Sequence, residues 1–599
     1  MSLSYRPEID GFRALAVTIV VLFHAKVPGF ENGFVGVDIF FVISGFLITS
    51  IIAREQAGEG FSYGRFVMRR VRRILPALVI VMLVCLPFAW WLMLPDPLEN
   101  FGQSLVATTL SANNILLWLT TGYWDLTSDF KPLLHTWSLG VEEQFYIFYP
   151  VLLVLALRLR FRACLALMAA MALLSFVLMV RALHSDPAAG FYLLHYRAWQ
   201  LLIGGIAGLL FLRGRWAGRP ALAAAGLALI LLALIPLALP MPVVLGLATL
   251  GTALYLLFAR AEGPVTWVFT RRPVIFVGLV SYSFYLWHQP VFAFLRVAFF
   301  ETPGLMAFGL AIALAFGLSV LSWRYVEMPF RSARRIGPAG LWACLGGGMV
   351  VAVIVGMIFH LTHGVPQRLG PVGQAQAAGL SIAYNERIRR LLPRDIPADV
   401  GDRPVVLVAG NSFARDFANV LLEAGLGGDL VLLYRDDLPV CPVDWSAGER
   451  ALVDNLNMLI FASGSYGKAC GKKAVDVARE AGLPVFFGGP KHFGQNLNPL
   501  MRLRSEQRSA TRLQVDDKIR ALNDSQAAWF GPHYIDILSV LSQDGGATVR
   551  VANEAGALLT TDRVHFSQAG AVLTASRLQA VFPEIFVLAR QDHTKDVGH

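Results

Sequence analysis

The sequence predicts a multi-span α-helical membrane domain followed by an extracytoplasmic α/β domain. Three observations carry that prediction. Of 599 residues, 56% are hydrophobic and 15% charged, with a mean hydropathy of +0.57, against roughly 25% charged residues in soluble globular proteins. Apolar runs of spanning length, about 20 residues each, recur from residue 15 to residue 359 and stop after Gly364. The charge divides at the same place. Residues 364–599 hold 25 basic and 25 acidic side chains, and residues 1–363 hold the remaining 26 and 16, hence the whole net charge of +10. This pattern excludes a single soluble domain, a disordered tail and a disulfide-dense secreted scaffold. It also argues against a nucleic-acid partner, because the basic excess lies between apolar runs, where membrane proteins place cytoplasmic Arg. Residues 1–10 are polar and the first apolar run lacks a small-residue cleavage site, so no cleaved leader is expected.

Twelve runs are candidate spans: 14–28, 34–53, 74–94, 104–120, 140–157, 163–181, 198–212, 221–239, 243–258, 274–296, 304–325 and 339–361. Arg54, Arg65, Arg69, Arg70, Arg72 and Arg73 follow the second run. Arg158, Arg160 and Arg162 follow the fifth, Arg213, Arg215 and Arg219 the seventh, Arg260, Arg271 and Arg272 the ninth, and Arg331, Arg334 and Arg335 the eleventh. The positive-inside rule makes these connections and the N-terminus cytoplasmic. An even number of crossings must then separate 54–73 from 158–162, so one of the three runs between them does not span. The most polar, 104–120, holds Ser104, Thr108, Thr109, Ser111, Asn113 and Asn114, and reads as an external re-entrant or interfacial helix packed on protein. Eleven spans remain, and an odd number places residues 364–599 outside.

In that outer region, strand-like runs at 404–409, 429–434, 457–462 and 484–488 alternate with helical patterns such as 413–424 and 472–481, the signature of a mostly parallel sheet covered by helices. Residues 364–400 read as a linker. Cys85, Cys164 and Cys344 lie in apolar runs and read as inert core residues. Cys441 and Cys470 are the only outer pair; an oxidising compartment permits a disulfide between them, two unpaired thiols being the alternative.

The outer chemistry begins at Gly410-Asn411-Ser412, between a strand and a helix. A Ser there stands at the carboxyl edge of the sheet, beside helix N-terminal N–H groups able to stabilise an oxyanion. Near the chain end, Asp562-Arg563-Val564-His565 can supply a base and its orienting carboxylate. With the following Phe566-Ser567-Gln568-Ala569-Gly570, these blocks resemble an SGNH-type esterase/acetyltransferase domain, a flavodoxin-like α/β/α fold. The resemblance implies Ser412 as nucleophile, His565 as base and Asp562 as its partner. Asn411 stands where that family usually has Asp. Its oxyanion block is not plain here: Gly464 and the stretch Gly494-Gln495-Asn496 are both candidates.

Inside the membrane region, Arg13 and His24 are eleven positions apart, which places both on one helix face about 16 Å apart. Ionisable residues within spans are costly and usually functional. Asp38, Glu142, Glu143, His288 and Glu327 are further candidates. The stretches YRPEIDGFRAL, GVDIFFVISG, RRVRRILP, VEEQFY, SYSFYLWHQP and YVEMPFR together resemble the acyltransferase-3 membrane family, lipopolysaccharide O-antigen acetylases among them. That resemblance implies a ten-span core in residues 1–335, an added linking span in 336–363, the linker at 364–400 and the SGNH-type domain in 401–599. It implies an O-acetyltransferase of the bacterial inner membrane that uses cytoplasmic acetyl-CoA as donor, and no metal. Arg69, Arg70, Arg72 and Arg73 would hold the coenzyme phosphates, Arg13 and His24 would promote release of the acetyl with His24 as acid/base or transient acceptor, and Ser412 would deliver it to a glycan. The expected acceptor is lipopolysaccharide O-antigen. The alternatives are peptidoglycan or another exopolysaccharide as acceptor, and a membrane-anchored carbohydrate deacetylase.

Overall fold

The computed structural model describes residues 5–120, 128–214, 218–260, 263–369, 381–542 and 544–590. Arg215 and residues 370–380 of the expected linker lie outside the described residues. The chain forms two units. One comprises Met1–Trp91, Glu99–Val297 and Thr302–Leu361; the other comprises Leu92–Leu98, Ala298–Glu301 and Thr362–His599.

The first unit is helical. Its elements are α1 (Pro7–His24), α2 (Val35–Ala57), α3 (Tyr63–Leu92), α4 (Pro95–Thr109), α5 (Asn113–Leu119), α6 (Thr136–Ala156), α7 (Phe161–Ser185), α8 (Pro187–Tyr192), α9 (Leu194–Leu212), α10 (Pro220–Leu234), α11 (Met241–Phe258), α12 (Arg272–Val297), α13 (Leu305–Ser322), α14 (Met328–Arg331) and α15 (Pro338–Leu361). A π-helical turn, Trp323–Glu327, joins α13 to α14. Among the described residues, seven helices are long and apolar enough to cross a membrane: α2, α3, α6, α7, α11, Leu305–Arg331 and α15. A bent pair, Gln568–Val581 with Pro583–Ala589, passes the same test, but Ala571, Leu578, Ile585 and Ala589 from it are buried in the core of the α/β unit. The other four expected spans fall short of that measure for visible reasons. Glu8, Asp10 and Arg13 interrupt α1; Arg197 and Gln200 interrupt α9; Ser281, Ser283, His288 and Gln289 dilute α12; and α10 has 15 residues.

Burial ranks the helices from centre to rim. The apolar window of α2 is 78% buried, those of α7 and α15 only 28%. Cys344, on α15, is therefore exposed, a correction to its reading as a core residue, whereas Cys85 and Cys164 are buried. Close backbone packing of α2 on α9 needs a missing side chain: a Cβ on Gly204 would stand 2.1 Å from the Val42 carbonyl oxygen. The 104–120 run breaks at residues 110–112 between α4 and α5. Its polar side chains are spent on protein: Asn113 donates to the Leu133 carbonyl (3.0 Å) and Thr136 Oγ1 (2.8 Å), and Gln144 donates to Asn114 Oδ1 (2.9 Å).

The second unit is an α/β fold. Strands β1 (Val405–Ala409), β2 (Val431–Arg435), β3 (Met458–Ala462), β4 (Val485–Gly488) and β6 (Tyr534–Ile535) form a parallel sheet in the order β2-β1-β3-β4-β6, and β5 (Arg512–Gln514) pairs antiparallel with β7 (Thr548–Arg550). The five-strand order is the flavodoxin-like doubly wound one, with its switch point between β1 and β3. Every residue of β1 and β3 is buried, as a sheet covered on both faces requires. Val406 and Val408 point into a core with Ala414, Phe417 and Leu421 of the Ser412–Glu423 helix; Val405 and Leu407 point into one with Ala474, Val475 and Ala478 of the Lys468–Glu480 helix.

Candidate active site

The α/β unit assembles its chemistry at the switch point. Gly410 ends β1 at φ +131°, and a Cβ there would lie 2.4 Å from the Ala462 carbonyl of β3, so only glycine allows the sharp exit that presents Ser412. Asn411 caps the following helix: its side-chain oxygen accepts the Phe413 N–H at 3.0 Å. An Asp there would accept the same bond, so the Asn keeps the cap.

His565 Nε2 lies 2.7 Å from Ser412 Oγ, and His565 Nδ1 bonds Asp562 Oδ2. The other carboxylate oxygen of Asp562 accepts the Val564 and His565 N–H groups at 3.0 and 2.8 Å. Asp562 accepts only, so Nδ1 carries the proton and Nε2 presents its lone pair to the Ser412 hydroxyl. Asp562 and His565 are buried, at 1% and 5% exposure. Burial disfavours the imidazolium, but the Asp562 charge and hydrogen bond outweigh it and hold the His565 pKa above its ordinary value. The same pairing outweighs burial at Asp562 and holds its carboxyl below the usual range. Arg563 takes φ +94° between the two, and its carbonyl accepts the Phe493 N–H at 3.0 Å.

Of the two oxyanion candidates, Gly464 follows β3 on the strand neighbouring β1, and a Cβ there would be 3.5 Å from the Phe413 ring. Adjacent Ser463 Oγ lies 3.4 Å from Asn411 Nδ2. Asn496 instead gives its amide to the Phe299 carbonyl at 2.6 Å and accepts from Asn498. Cys441 and Cys470 are joined in a disulfide.

The helical unit does not gather its candidates in one place. Arg13, Arg70 and Arg73 line a cavity together with Ser44, Glu142 and Tyr146. Glu142 accepts from Ser44 Oγ (3.2 Å) and the Tyr146 hydroxyl (2.8 Å); Arg13 reaches Asp10 at 3.3 Å. The four arginines of α3 do not act together. Arg69 pairs with Glu55 at 2.7 Å, and Arg72 turns to the Phe330 and Ile336 carbonyls at 3.1 and 2.9 Å. Only Arg70 and Arg73 face the cavity. Glu143 keeps a buried carboxylate oxygen without a hydrogen-bond partner. Glu327 accepts from Ser283 and pairs with Arg331. Asp38 binds Arg197 (2.7 Å) and Gln200 (2.6 Å), tying α2 to α9.

At the other end of α1, His24 Nδ1 lies 3.2 Å from His288 Nε2 and 3.1 Å from the Val20 carbonyl. His288 Nδ1 is 2.6 Å from the Tyr285 carbonyl. A carbonyl only accepts, so His288 holds its proton on Nδ1 and accepts from His24 Nδ1–H, which leaves His24 Nε2 as a free lone pair. His288 and His135 are fully buried, but His24 is only partly so. Arg296 donates to the His24 carbonyl. The sequence reading passed over His135, Arg197 and Arg296; each is a charged or ionisable side chain inside or at the edge of an apolar run, which was the available signal.

Against this geometry stand the comparisons. The acyltransferase-3 family model, described as an acyltransferase domain, matches residues 6–324, just over half of the chain. The chain belongs to the acyltransferase-3 family. It is an O-acyltransferase, and every strand of the α/β unit described above lies beyond the matched domain. A Staphylococcus aureus (strain MSSA476) protein named "Putative O-acetyltransferase SAS0844" is 29% identical over 519 residues, covering 72% of this chain and 84% of its own. The peptidoglycan O-acetyltransferase OatA of Listeria monocytogenes is 28% identical, over 59% of this acyltransferase and 62% of its own length. A Komagataeibacter xylinus protein named "Putative membrane-bound transacylase BcsY" is 32% identical, over 58% and 91%. No solved structure matches this acyltransferase. Among its described residues, no group of three or more His, Cys, Asp or Glu side chains is placed to hold a metal ion.

Proposed function

We propose that this acyltransferase carries an acetyl group from cytoplasmic acetyl-CoA to hydroxyls of a glycan on the far side of the bacterial inner membrane. The observation that carries the proposal is the hydrogen-bonded series Ser412–His565–Asp562, in a chain whose helical unit belongs to an acyltransferase family. Eleven spans, a cytoplasmic N-terminus and a periplasmic α/β unit fit the arginine alternation and the Cys441–Cys470 disulfide, which suits an oxidising compartment. Residues 1–335, apart from Leu92–Leu98 and Ala298–Glu301, would then form the transmembrane core, 336–363 the linking span, and 401–599 the body of the SGNH-type domain.

The cavity suits the donor. Its guanidinium groups match phosphate oxygens in geometry and charge, and Arg70 Nε is buried without a partner. Arg70 and Arg73 would hold the phosphates, with Arg13 beside them. Acetyl-CoA, when bound, supplies a thioester whose acetyl is activated for transfer. The phosphates stay behind because their charge cannot enter hydrocarbon; the small acetyl group passes through protein. His24 Nε2, the free base on that route, would accept the acetyl as the thioester C–S bond breaks, the coenzyme leaving as a thiol with the His24 Nδ1 proton. Outside, Ser412 Oγ attacks the carbonyl of the acetyl on the group that presents it as His565 Nε2 takes the hydroxyl proton; the bond to that group breaks, giving an acyl-Ser, and His565 returns the proton to the released group. A sugar hydroxyl then attacks the acyl-Ser, its proton going to His565 and then to the released Ser412 oxygen. Backbone N–H groups at the start of the helix, with that of Gly464, would be the donors to the developing oxyanion.

The acceptor carried forward is lipopolysaccharide O-antigen. Peptidoglycan is the second reading, favoured by the name of the Listeria relative. O-acetate measured separately on both glycans, in cells carrying His24→Ala or Ser412→Ala, tests the proposal. Loss from one glycan in both variants is expected. Retention in Ser412→Ala overturns the role of the outer site. A rise in O-acetate in Ser412→Ala, with His24→Ala unchanged, identifies a deacetylase instead.

A further inference from the structure

Beneath the Ser412–His565 pair lies a second pair of charges that the transfer reaction does not use. Asp416 is one helical turn after Ser412, and Lys491 lies three residues beyond β4. They meet at 2.8 Å, at 1% and 4% exposure. Asp416 is fully bonded. Oδ2 accepts the Lys491 ammonium and the N–H of Phe566, the residue after His565, at 3.1 Å. Oδ1 accepts from Asn385 at 2.6 Å, and the same Asn385 amide donates to the Ser412 carbonyl at 2.7 Å. Lys491 Nζ also stands 3.7 Å from the centre of the Phe413 ring, and that ring meets His565 edge-on.

A buried ion pair is expensive to desolvate, and an apolar pair of similar volume usually serves stability as well or better. Its position here has a specific consequence. The charged groups facing the His565 imidazole are Asp562 from its own loop, Asp416 from the Ser412–Glu423 helix and Lys491 from the segment after β4. Without Lys491, the imidazole would face two carboxylates with the cation that balances Asp416 gone.

We propose that Asp416 and Lys491 are positioning residues of the outer site: Asp416 ties the nucleophile's helix to the base's loop, and Lys491 neutralises Asp416 so that the imidazole answers to Asp562 alone. This rests on the reading of Ser412 and His565 as nucleophile and base. The same electrostatics gives opposite signs for the two partners, since Asp416 favours the imidazolium and Lys491 disfavours it.

The test uses the full chain in detergent, p-nitrophenyl acetate as probe, and the pH profile of kcat/KM. Lys491→Met moves the acid limb to higher pH by about half to one unit, and Asp416→Asn moves it to lower pH by a similar amount. Lys491→Arg restores the native limb. The double variant Asp416→Asn/Lys491→Met, which leaves no unpaired charge, returns the limb close to native with a reduced kcat and KM little changed; it also keeps the test alive where a single variant fails to fold. Limbs that stay in place, or that move the same way in both single variants, overturn the proposal. Ser412→Ala separates the two failures. Hydrolysis surviving that substitution overturns the nucleophile itself, whereas hydrolysis lost in Ser412→Ala with unmoved limbs overturns only the clamp.

Discussion

His565 sits under opposed demands. Its raised pKa and the lowered one of Asp562 mean that the pair contributes its full stabilisation between the ordinary carboxylate and histidine values, losing it as pH rises through the raised His565 value or falls through the lowered Asp562 value. Catalysis runs the other way, because only neutral imidazole can take the Ser412 proton. Hydrolysis of p-nitrophenyl acetate is therefore expected to climb as pH rises through that same raised value, while thermal stability read at the same points does not climb with it. Ser412→Ala and His565→Ala should each lower kcat by about 10⁴ or more, with the pair of substitutions little worse than either alone, since the residues act as a unit. At this scale the sequence was legible where chemistry is written in short motifs: Ser412, Asp562 and His565 each stand at a fixed offset from a strand end or from one another. Asp416 and Lys491 were not, because a buried Lys looks like any surface Lys until its partner, 75 positions away, is known. The α3 arginines show the converse. Four close neighbours in sequence suggested one phosphate site, but helical periodicity sends Arg69 and Arg72 elsewhere.

At the scale of elements, the turn between β1 and its helix carries the most constraint. Gly410→Ala places a methyl 2.4 Å from the Ala462 carbonyl in a left-handed backbone region. It should cost about 1–3 kcal/mol and lower hydrolysis, read as a drop in melting temperature together with kcat. The sheet was legible because its strands are short apolar runs between turn signals, and all four expected runs became β1 to β4. The two-residue β6 and the antiparallel β5–β7 pair carry no such pattern; their pairing is decided by tertiary contact. The non-spanning character of 104–120 was inferred from charge parity and polarity. In the structure those same polar residues buy their burial with hydrogen bonds to α6 and its approach.

At the scale of the whole molecule, sequence gives a span count that length and hydropathy alone do not reach, because α1, α9 and α12 trade apolar character for Arg13, Arg197, His288 and their neighbours. Topology can be read directly. Leu119 is 64% exposed near the end of the 104–120 run, and Leu110 is 69% exposed at its break. Leu119→Cys in intact cells should react with a membrane-impermeant maleimide that reaches only the outer face; reaction only after the membrane is opened would break the eleven-span arrangement.

The α/β unit does not begin at the linker. Leu94 is wholly buried in its core, Phe300 packs against that core, and Thr561, the residue before the carboxylate proposed to orient His565, donates to Asp96. A soluble fragment cut at residue 364 therefore leaves behind two pieces of itself, and with them a leucine-sized void and a catalytic loop missing its brace. Such a fragment should melt well below the same segment within the intact chain, and a weak hydrolase made that way would report on the cut rather than on the enzyme.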